Sequence, residues 1–209
     1  MDKFLRKIST LLVYLFLICN SILVLGPVIW TIMASFKKGN NLFSSTFSGI
    51  EFTFDHYITL FTDTPYMQWY LNTFILATAN MLISLFVVTM TAYVFSRYRF
   101  RGKRNTLMSI LVLQMFPAFL SMTAIYILLS KANLIDTYTG LLLVYVTGSL
   151  PFMTWLVKGY FDAIPTSLDE AAKIDGAGHL TIFIQIILPL AKPILVFVGL
   201  VSFTGPWMD

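Results

Sequence analysis

Five long apolar runs with almost no charged residues constrain this 209-residue chain more than any other feature. A bilayer hydrocarbon core is about 30 Å thick and takes roughly 20 apolar residues of helix to cross. The runs cover residues 9–34, 71–95, 106–129, 139–157 and 189–207. Lys192 lies early in the last run, where a long side chain reaches the membrane interface. The pattern predicts an all-α, polytopic bundle of transmembrane helices with five spans.

The composition excludes a soluble globular domain. Hydrophobic residues make up 57% of the chain and charged residues 11%, while soluble domains carry about 25% charged residues. No Gly/Ser linker, low-complexity tract or internal repeat divides the sequence. We assign residues 1–70 to an N-terminal span with an external loop, and residues 71–209 to the main transmembrane domain.

Lysine and arginine fall mainly on one side of the predicted spans, and such residues favour the cytoplasmic side. We therefore expect a cytoplasmic N-terminus and a cytoplasmic loop between the fourth and fifth spans. The run from Arg97 to Arg104 lies directly against two spans, which argues against nucleic-acid binding. The residues of the basic side are Lys3, Arg6, Lys7, Arg97, Arg99, Arg101, Lys103, Arg104, Lys158, Lys173 and Lys192, against Lys37, Lys38 and Lys131 opposite.

The loop between the fourth and fifth spans has a specific pattern of small and charged residues. Pro165 disfavours helix at Ile164, so the fourth helix is expected to end there. Ser167 and Glu170 have the S-x-x-E spacing of a capping box, which predicts a helix from Leu168. Gly176 or Gly178 is expected to take the left-handed conformation that closes this helix, with an apolar helix following.

Residues 170–193 combine E-A-A, D-G-A, an apolar stretch, L-P and a later proline, and they resemble the EAA loop of bacterial ABC-importer permeases. The resemblance implies that this loop docks onto an ATPase and transmits its movement to the spans. An alternative is that Ser167 and Glu170 only cap a helix, with the alanines serving as helix formers. The docking residues implied by the resemblance are Glu170, Ala171, Ala172, Asp175, Gly176 and Ala177.

The family resemblance also implies partners and a location. Such permeases work by alternating access in the bacterial cytoplasmic membrane as multi-pass proteins. Their partners are a homologous second permease subunit, a dimer of ATP-binding subunits, an extracytoplasmic solute-binding protein and the lipid bilayer.

The chain itself carries no pattern for an energy source or a catalytic site. It has no G-x-x-x-x-G-K-[ST] motif, and His56 and His179 cannot form H-E-x-x-H. No carboxylate lies deep in a predicted span, which removes the usual relay of a proton-coupled carrier. We expect a transport subunit with no metal, cofactor or enzymatic activity of its own.

The solute is the least constrained part of the prediction. Residues 71–209 resemble carbohydrate importers, and the segments around 188–194 and 201–209 resemble the smaller permease subunit of maltose/maltodextrin systems. Gln114 and Tyr145 suit a sugar pathway, because sugars bind hydrogen-bonding groups and aromatic faces. The alternative is that intramembrane polar groups join helices. Further candidates are Asn72, Asn80, Tyr126, Thr147 and Ser149.

Three alternatives stay open at this point. Another solute, such as glycerol phosphate or a different oligosaccharide, is the main one. A secondary transporter or channel, which would not need the EAA loop, and a membrane scaffold are the others. Family members continue through an external loop and a sixth helix, so we expect the sequence to be a fragment that ends after the fifth span.

Overall fold

The computed structural model of the protein describes residues 2–39, 52–115 and 117–208. The chain divides into two compact units, Met1–Trp69 and Tyr70–Asp209. Within the described residues the regular structure is helical, apart from one isolated β-bridge between Lys37 and Phe52.

The first unit contains helices α1 (Asp2–Ser35) and α2 (Asp55–Thr62). An aromatic cluster joins the end of α1 to α2: the Phe36 ring lies 5.4 Å from Phe54 and 5.3 Å from Tyr57. The hydroxyls of Ser35 and Tyr57 are 2.7 Å apart, and they add a polar contact to this cluster.

The second unit holds the remaining helices, and the boundary falls in the first turn of α3. A π-helix (Phe183–Ile187) lies between α8 and α9, and a 3-10 turn (Gly205–Trp207) follows α10. The helices are α3 (Tyr66–Arg97), α4 (Lys103–Gln114), α5 (Ala118–Lys131), α6 (Tyr138–Ala163), α7 (Ser167–Ile174), α8 (His179–Ile182), α9 (Leu188–Leu190) and α10 (Lys192–Thr204).

Three continuous helices are long and apolar enough to cross a membrane, namely 7–35, 66–97 and 138–163, within the described part of the chain. A fourth candidate consists of 179–190 and 192–207, which meet at an angle of 81°. The all-α membrane fold is therefore confirmed. The long exposed apolar faces of these helices suit contact with lipid.

Two of the five predicted spans are not continuous helices. The third is divided into α4 and α5 around residues 115–117, because Pro117 takes an extended conformation (ψ 128°) and has no N–H to donate. The fifth bends at Ala191, directly before Lys192 and Pro193. Pro151 lies inside α6, which continues past it.

The core of the second unit lies between α3, α6, the π-helix region and α10. Its fully buried side chains come from all four, so each helix has one face in the core and another outside. These side chains include Val88, Val157, Phe161, Ile182, Ile187 and Val198.

One buried polar contact crosses this core. The Asn80 side chain on α3 donates from Nδ2 to the backbone oxygen of Ser202 on α10, at 2.6 Å, and Ser84 Oγ lies 3.4 Å from Asn80 Oδ1. Asn80 was one of the polar residues considered for the solute pathway. It is 3% exposed and joins α3 to α10.

Gly140 provides a test of the packing where α6 begins. Thr137 caps this helix by accepting from the Gly140 N–H, and a Cβ at Gly140 would lie 2.1 Å from Leu134 O. We expect Gly140→Ala to lower the free energy of unfolding by about 3 kcal/mol, because the backbone must move to relieve this overlap. Thermal unfolding of the purified protein in detergent measures the change.

Gly148→Ala is the matched control in the same helix. Nothing lies within 4 Å of the position of its Cβ, and alanine favours helix over glycine. If the two substitutions change the free energy of unfolding equally, the proposed close packing of Gly140 against Leu134 is contradicted.

Candidate functional site

The candidate site is the corner where α6 ends and α7 begins.

 Ile164 is extended (ψ 122°) before Pro165, which ends α6 as predicted. Helix α7 then begins at Ser167, with Thr166 as the N-cap residue in a helical conformation and without a side-chain cap.

The predicted capping box is therefore wrong. Ser167 is the first helical residue rather than the cap, since the turn through Pro165 and Thr166 already supplies the first backbone acceptors. The Glu170 N–H donates to Thr166 O at 3.1 Å. Among the described residues, the Glu170 carboxylate has no hydrogen-bond or ion-pair partner.

The end of α7 matches the prediction. Gly176 has φ +85°, whereas Gly178 has φ −74°, so Gly176 is the left-handed residue. The Ala177 N–H donates to Ala172 O at 2.9 Å and the Gly176 N–H donates to Lys173 O at 3.0 Å. This pair of bonds is the Schellman motif, which needs a glycine at the left-handed position and fixes the direction of the chain after the helix.

Arg97, the last residue of α3, joins three elements at this corner. Its Nε lies 2.6 Å from Asp169 Oδ2 on α7, and the two side chains are only 8% and 10% exposed. Its Nη1 donates to Phe161 O at 2.9 Å and its Nη2 donates to Ile164 O at 3.0 Å. The last carbonyls of a helix lack partners within it, so the guanidinium satisfies the end of α6 while it holds α7.

Sequence reasoning missed the ion pair of Arg97 with Asp169. Arg97 counted only as one of the basic residues that indicate the orientation of the spans. One signal was available: Asp169 and Ala172 are three residues apart and share a helix face, and both pack inward.

Further contacts hold the segments on either side of α7. Ser96 Oγ donates to Asp162 Oδ1 at 2.7 Å, which adds a second link between α3 and α6. The Tyr93 ring lies 4.8 Å from that of Phe183, and its hydroxyl donates to His179 O at 3.4 Å. The segment after the Gly176 turn is thus also packed against α3.

The outer face of α7 is exposed and partly apolar. Ile174 is 87% exposed and Leu168 is 41% exposed, with Ala171 exposed between them at helical spacing. Ile174 was not among the predicted docking residues, although the i, i+3, i+6 spacing of these three was visible in the sequence. Of the six that were, Glu170, Ala171, Asp175 and Gly176 are exposed, while Ala172 and Ala177 are partly buried against the core.

The two predicted pathway residues lie on different helices. Gln114 is the exposed last residue of α4, and Tyr145 is a part-buried residue of α6. Their contact with a solute stays a prediction. Among the described residues, no three His, Cys, Asp or Glu side chains are grouped so as to hold a metal ion.

The Arg97 contacts lead to a stability prediction. We expect Arg97→Gln to lower the free energy of unfolding by about 3 kcal/mol, because it leaves the Asp169 carboxylate buried without its cation. The double variant Arg97→Gln/Asp169→Asn should be no less stable than Arg97→Gln alone. Chemical unfolding of Arg97→Gln, Asp169→Asn and the double variant measures the coupling, and simple addition of the two single effects would contradict it.

Comparison with known proteins identifies the family. The model of the family described as "Binding-protein-dependent transport system inner membrane component" matches residues 1–209. The chain is 42% identical to the maltodextrin transport system permease protein MdxG of Bacillus subtilis (strain 168), over 98% of this chain and 73% of that protein. It is 44% identical to the galactooligosaccharides transport system permease protein GanQ of the same organism, over the same two shares.

A solved structure agrees with these relatives. The crystal structure of a bacterial ABC transporter involved in the import of the acidic polysaccharide alginate contains a chain that matches with a TM-score of 0.79 and 26% identity. The match covers 96% of this chain and 71% of that chain. The relatives are permease components of ABC transporters, so the predicted family and the assignment as a membrane transport component rather than an enzyme are confirmed. This chain belongs to the family of binding-protein-dependent transport system inner membrane components.

Proposed function

We propose that this chain is a permease subunit of an ATP-driven sugar importer and that α7 with its Gly176 turn docks onto the ATPase. The observation that carries the docking proposal is the exposed apolar face of α7, held on a rigid corner of the bundle. The family and its sugar-transporting relatives support the importer.

The exposed face of α7 suits a protein partner. A side chain as apolar and as exposed as Ile174, beside Leu168 and Ala171, marks an interaction site when charged residues surround it. Those charged neighbours are Glu170, Lys173 and Asp175. The unpaired Glu170 carboxylate is then available to a basic group of the partner.

The packing beneath α7 suits transmission of force. Arg97 ties α7 to the ends of α3 and α6, and the Schellman motif fixes the turn that follows. A partner that pushes on the outer face of α7 therefore displaces these helices together. In the proposed transporter the α7 end of the bundle is cytoplasmic, as is the N-terminus.

The proposed function requires further subunits. One chain contributes one α7 docking element, so a dimeric ATPase needs a second, homologous permease subunit. The family description names dependence on a binding protein, which supports a solute-binding protein on the other side of the membrane.

We propose maltodextrin as the solute to test first. Two maltodextrin permeases, MdxG of Bacillus subtilis (strain 168) and MalD of Streptococcus pneumoniae (strain ATCC BAA-255 / R6), are 42% and 40% identical to this chain. A galactooligosaccharide is the second candidate, supported by the 44% identity to GanQ. Gln114 and Tyr145 remain the proposed contacts with the sugar.

The docking proposal predicts a clear effect of one exposed side chain. We expect Ile174→Asp to weaken binding of the ATPase about 30-fold. The buried apolar anchors of an interface each contribute about 2 kcal/mol or more to the free energy of binding. Glu170→Lys should weaken it in the same direction. Co-purification of the ATPase subunit with the intact transporter measures the loss.

Ile174→Leu is the matched control for this experiment. It keeps an apolar side chain of similar volume and should retain the ATPase. Because Ile174 is almost fully exposed, Ile174→Asp should leave thermal unfolding of the permease unchanged within about 0.5 kcal/mol. Retention of the ATPase by both Ile174→Asp and Glu170→Lys would show that α7 is only a connection between spans.

The importer proposal predicts ATP-dependent sugar uptake. Proteoliposomes that contain the complete transporter and its solute-binding protein should accumulate labelled maltotriose only when ATP is present on the ATPase side. Accumulation driven by a proton gradient without the ATPase would indicate a secondary transporter. Competition by a galactooligosaccharide, but not by maltodextrin, would support the second sugar instead.

A further inference from the structure

A basic cavity of about 520 Å³ lies beside the start of α4 and is separate from the face of α7. This volume falls within the roughly 300–1,000 Å³ of sites for small ligands. Its walls come from the α3–α4 connection, the first turns of α4 and one side of α6. The lining residues are Arg99, Phe100, Gly102, Lys103, Arg104, Asn105, Leu107, Met108, Trp155 and Lys158.

Four of the lining residues are cations, and two of these already have a partner within the protein. Lys158 pairs with Asp162, and Lys103 Nζ donates to Tyr98 O at 3.1 Å. Arg99 and Arg104 are exposed and have no ion-pair partner among the described residues. No carboxylate is present among the described residues that line the cavity, so its charge is strongly positive.

The two arginines suit a phosphate group. A guanidinium binds phosphate oxygens through two parallel N–H donors, and this geometry is more specific than a point charge. Helix α4 also begins at the cavity, with Gly102 as its N-cap residue (φ +88°) and no side-chain cap on its first N–H groups. The partial positive charge of a helix N-terminus adds to the attraction for an anion.

The rest of the lining is apolar and suits the part of a lipid next to its headgroup. Phe100 and Met108 are exposed at 43% and 48%, beside the buried Leu107. Trp155 is part-buried, and its Nε1 donates to Leu107 O at 3.3 Å, which fixes the indole ring between α4 and α6. Tryptophan with an apolar body and a bonded N–H is typical of the membrane interface.

We propose that this cavity binds the phosphate of an anionic phospholipid headgroup, with Arg99 and Arg104 as the phosphate ligands. The site lies at the same end of the bundle as α7, because Arg97 joins the end of α3 to the end of α6. On the proposed orientation of the transporter, the site faces the cytoplasmic leaflet. Basic pockets between membrane helices on that side bind anionic headgroups.

A free phosphate ion offers the same charge chemistry. The apolar wall favours the lipid, since Phe100, Met108 and Trp155 give an inorganic ion no additional contact. A phospholipid would place its glycerol and the start of its acyl chains against these three side chains. The phospholipid and the free phosphate ion can be offered to the protein separately, so one binding experiment distinguishes them.

The test is lipid binding to the intact transporter in detergent, measured by native mass spectrometry. The probes are dioleoyl phosphatidylglycerol, dioleoyl phosphatidylcholine and inorganic phosphate. We expect the unmodified protein to bind phosphatidylglycerol more tightly than phosphatidylcholine. The double variant Arg99→Gln/Arg104→Gln should weaken phosphatidylglycerol binding about tenfold and leave phosphatidylcholine binding unchanged.

Arg101→Gln is the matched control. Arg101 is an exposed cation in the same connection but does not line the cavity, so its loss should change binding less than about twofold. Arg99→Lys/Arg104→Lys keeps both charges without the bidentate geometry and should fall between the unmodified protein and the double Gln variant. This second variant keeps the test valid if the Gln variant does not fold.

Three results would overturn the lipid assignment. Equal effects of Arg101→Gln and the double Gln variant on phosphatidylglycerol binding would show that the lipid is attracted by the overall charge of the α3–α4 connection and not by the cavity. Binding of inorganic phosphate that depends on Arg99 and Arg104, without any such effect on phosphatidylglycerol, would assign the cavity to the free ion. Loss of the ATPase from the double Gln variant with unchanged lipid binding would make the cavity a protein contact. Failure of α7 docking would appear only in the α7 variants, so the two proposals fail separately.

Discussion

The guanidinium of Arg97 is the interaction on which the arrangement of the α7 corner depends. A buried charge needs an opposite charge nearby, which Asp169 supplies at 2.6 Å from Nε, while two backbone carbonyls accept hydrogen bonds from Nη1 and Nη2. Because the three partners belong to the end of α6, the connection after it and α7, one side chain fixes the direction in which the chain leaves the bundle. The exposed face of α7 and the Gly176 turn acquire a fixed position through this contact.

The membrane imposes the second constraint on the bundle. The helices present apolar side chains outward to lipid, so the inside cannot be recognised by hydrophobicity alone, and buried small residues and polar contacts between helices help to mark it. Ala77, Ala92 and Ala191 are fully buried, while large leucine and phenylalanine side chains are exposed on the same helices. The basic cavity beside α4 and the α7 corner lie where this apolar surface gives way to charged residues.

Much of the architecture could be predicted because it depends on local pattern. Run length and charge gave the membrane helices, and the glycine spacing gave the left-handed residue that closes α7. The break around residues 115–117 and the 81° bend at Ala191 could not be predicted, since Pro151 shows that a proline in a span does not always interrupt the helix. The Arg97–Asp169 pair joins residues that are far apart in the sequence, so it does not follow from local pattern. The helical spacing of Leu168, Ala171 and Ile174 was visible in the sequence, but which face of α7 is exposed depends on tertiary packing.

The buried amide of Asn80 has a mechanical consequence. The Asn80 side chain is buried and donates one hydrogen bond to the backbone of α10, and a slide by one residue, about 1.5 Å along a helix, would remove its acceptor. A buried amide without a partner costs about 1–3 kcal/mol. The contact therefore fixes the axial register of α3 against α10. The hydrogen bond is kept when the two helices tilt or rotate as one rigid body, whereas sliding of one helix along the other breaks it.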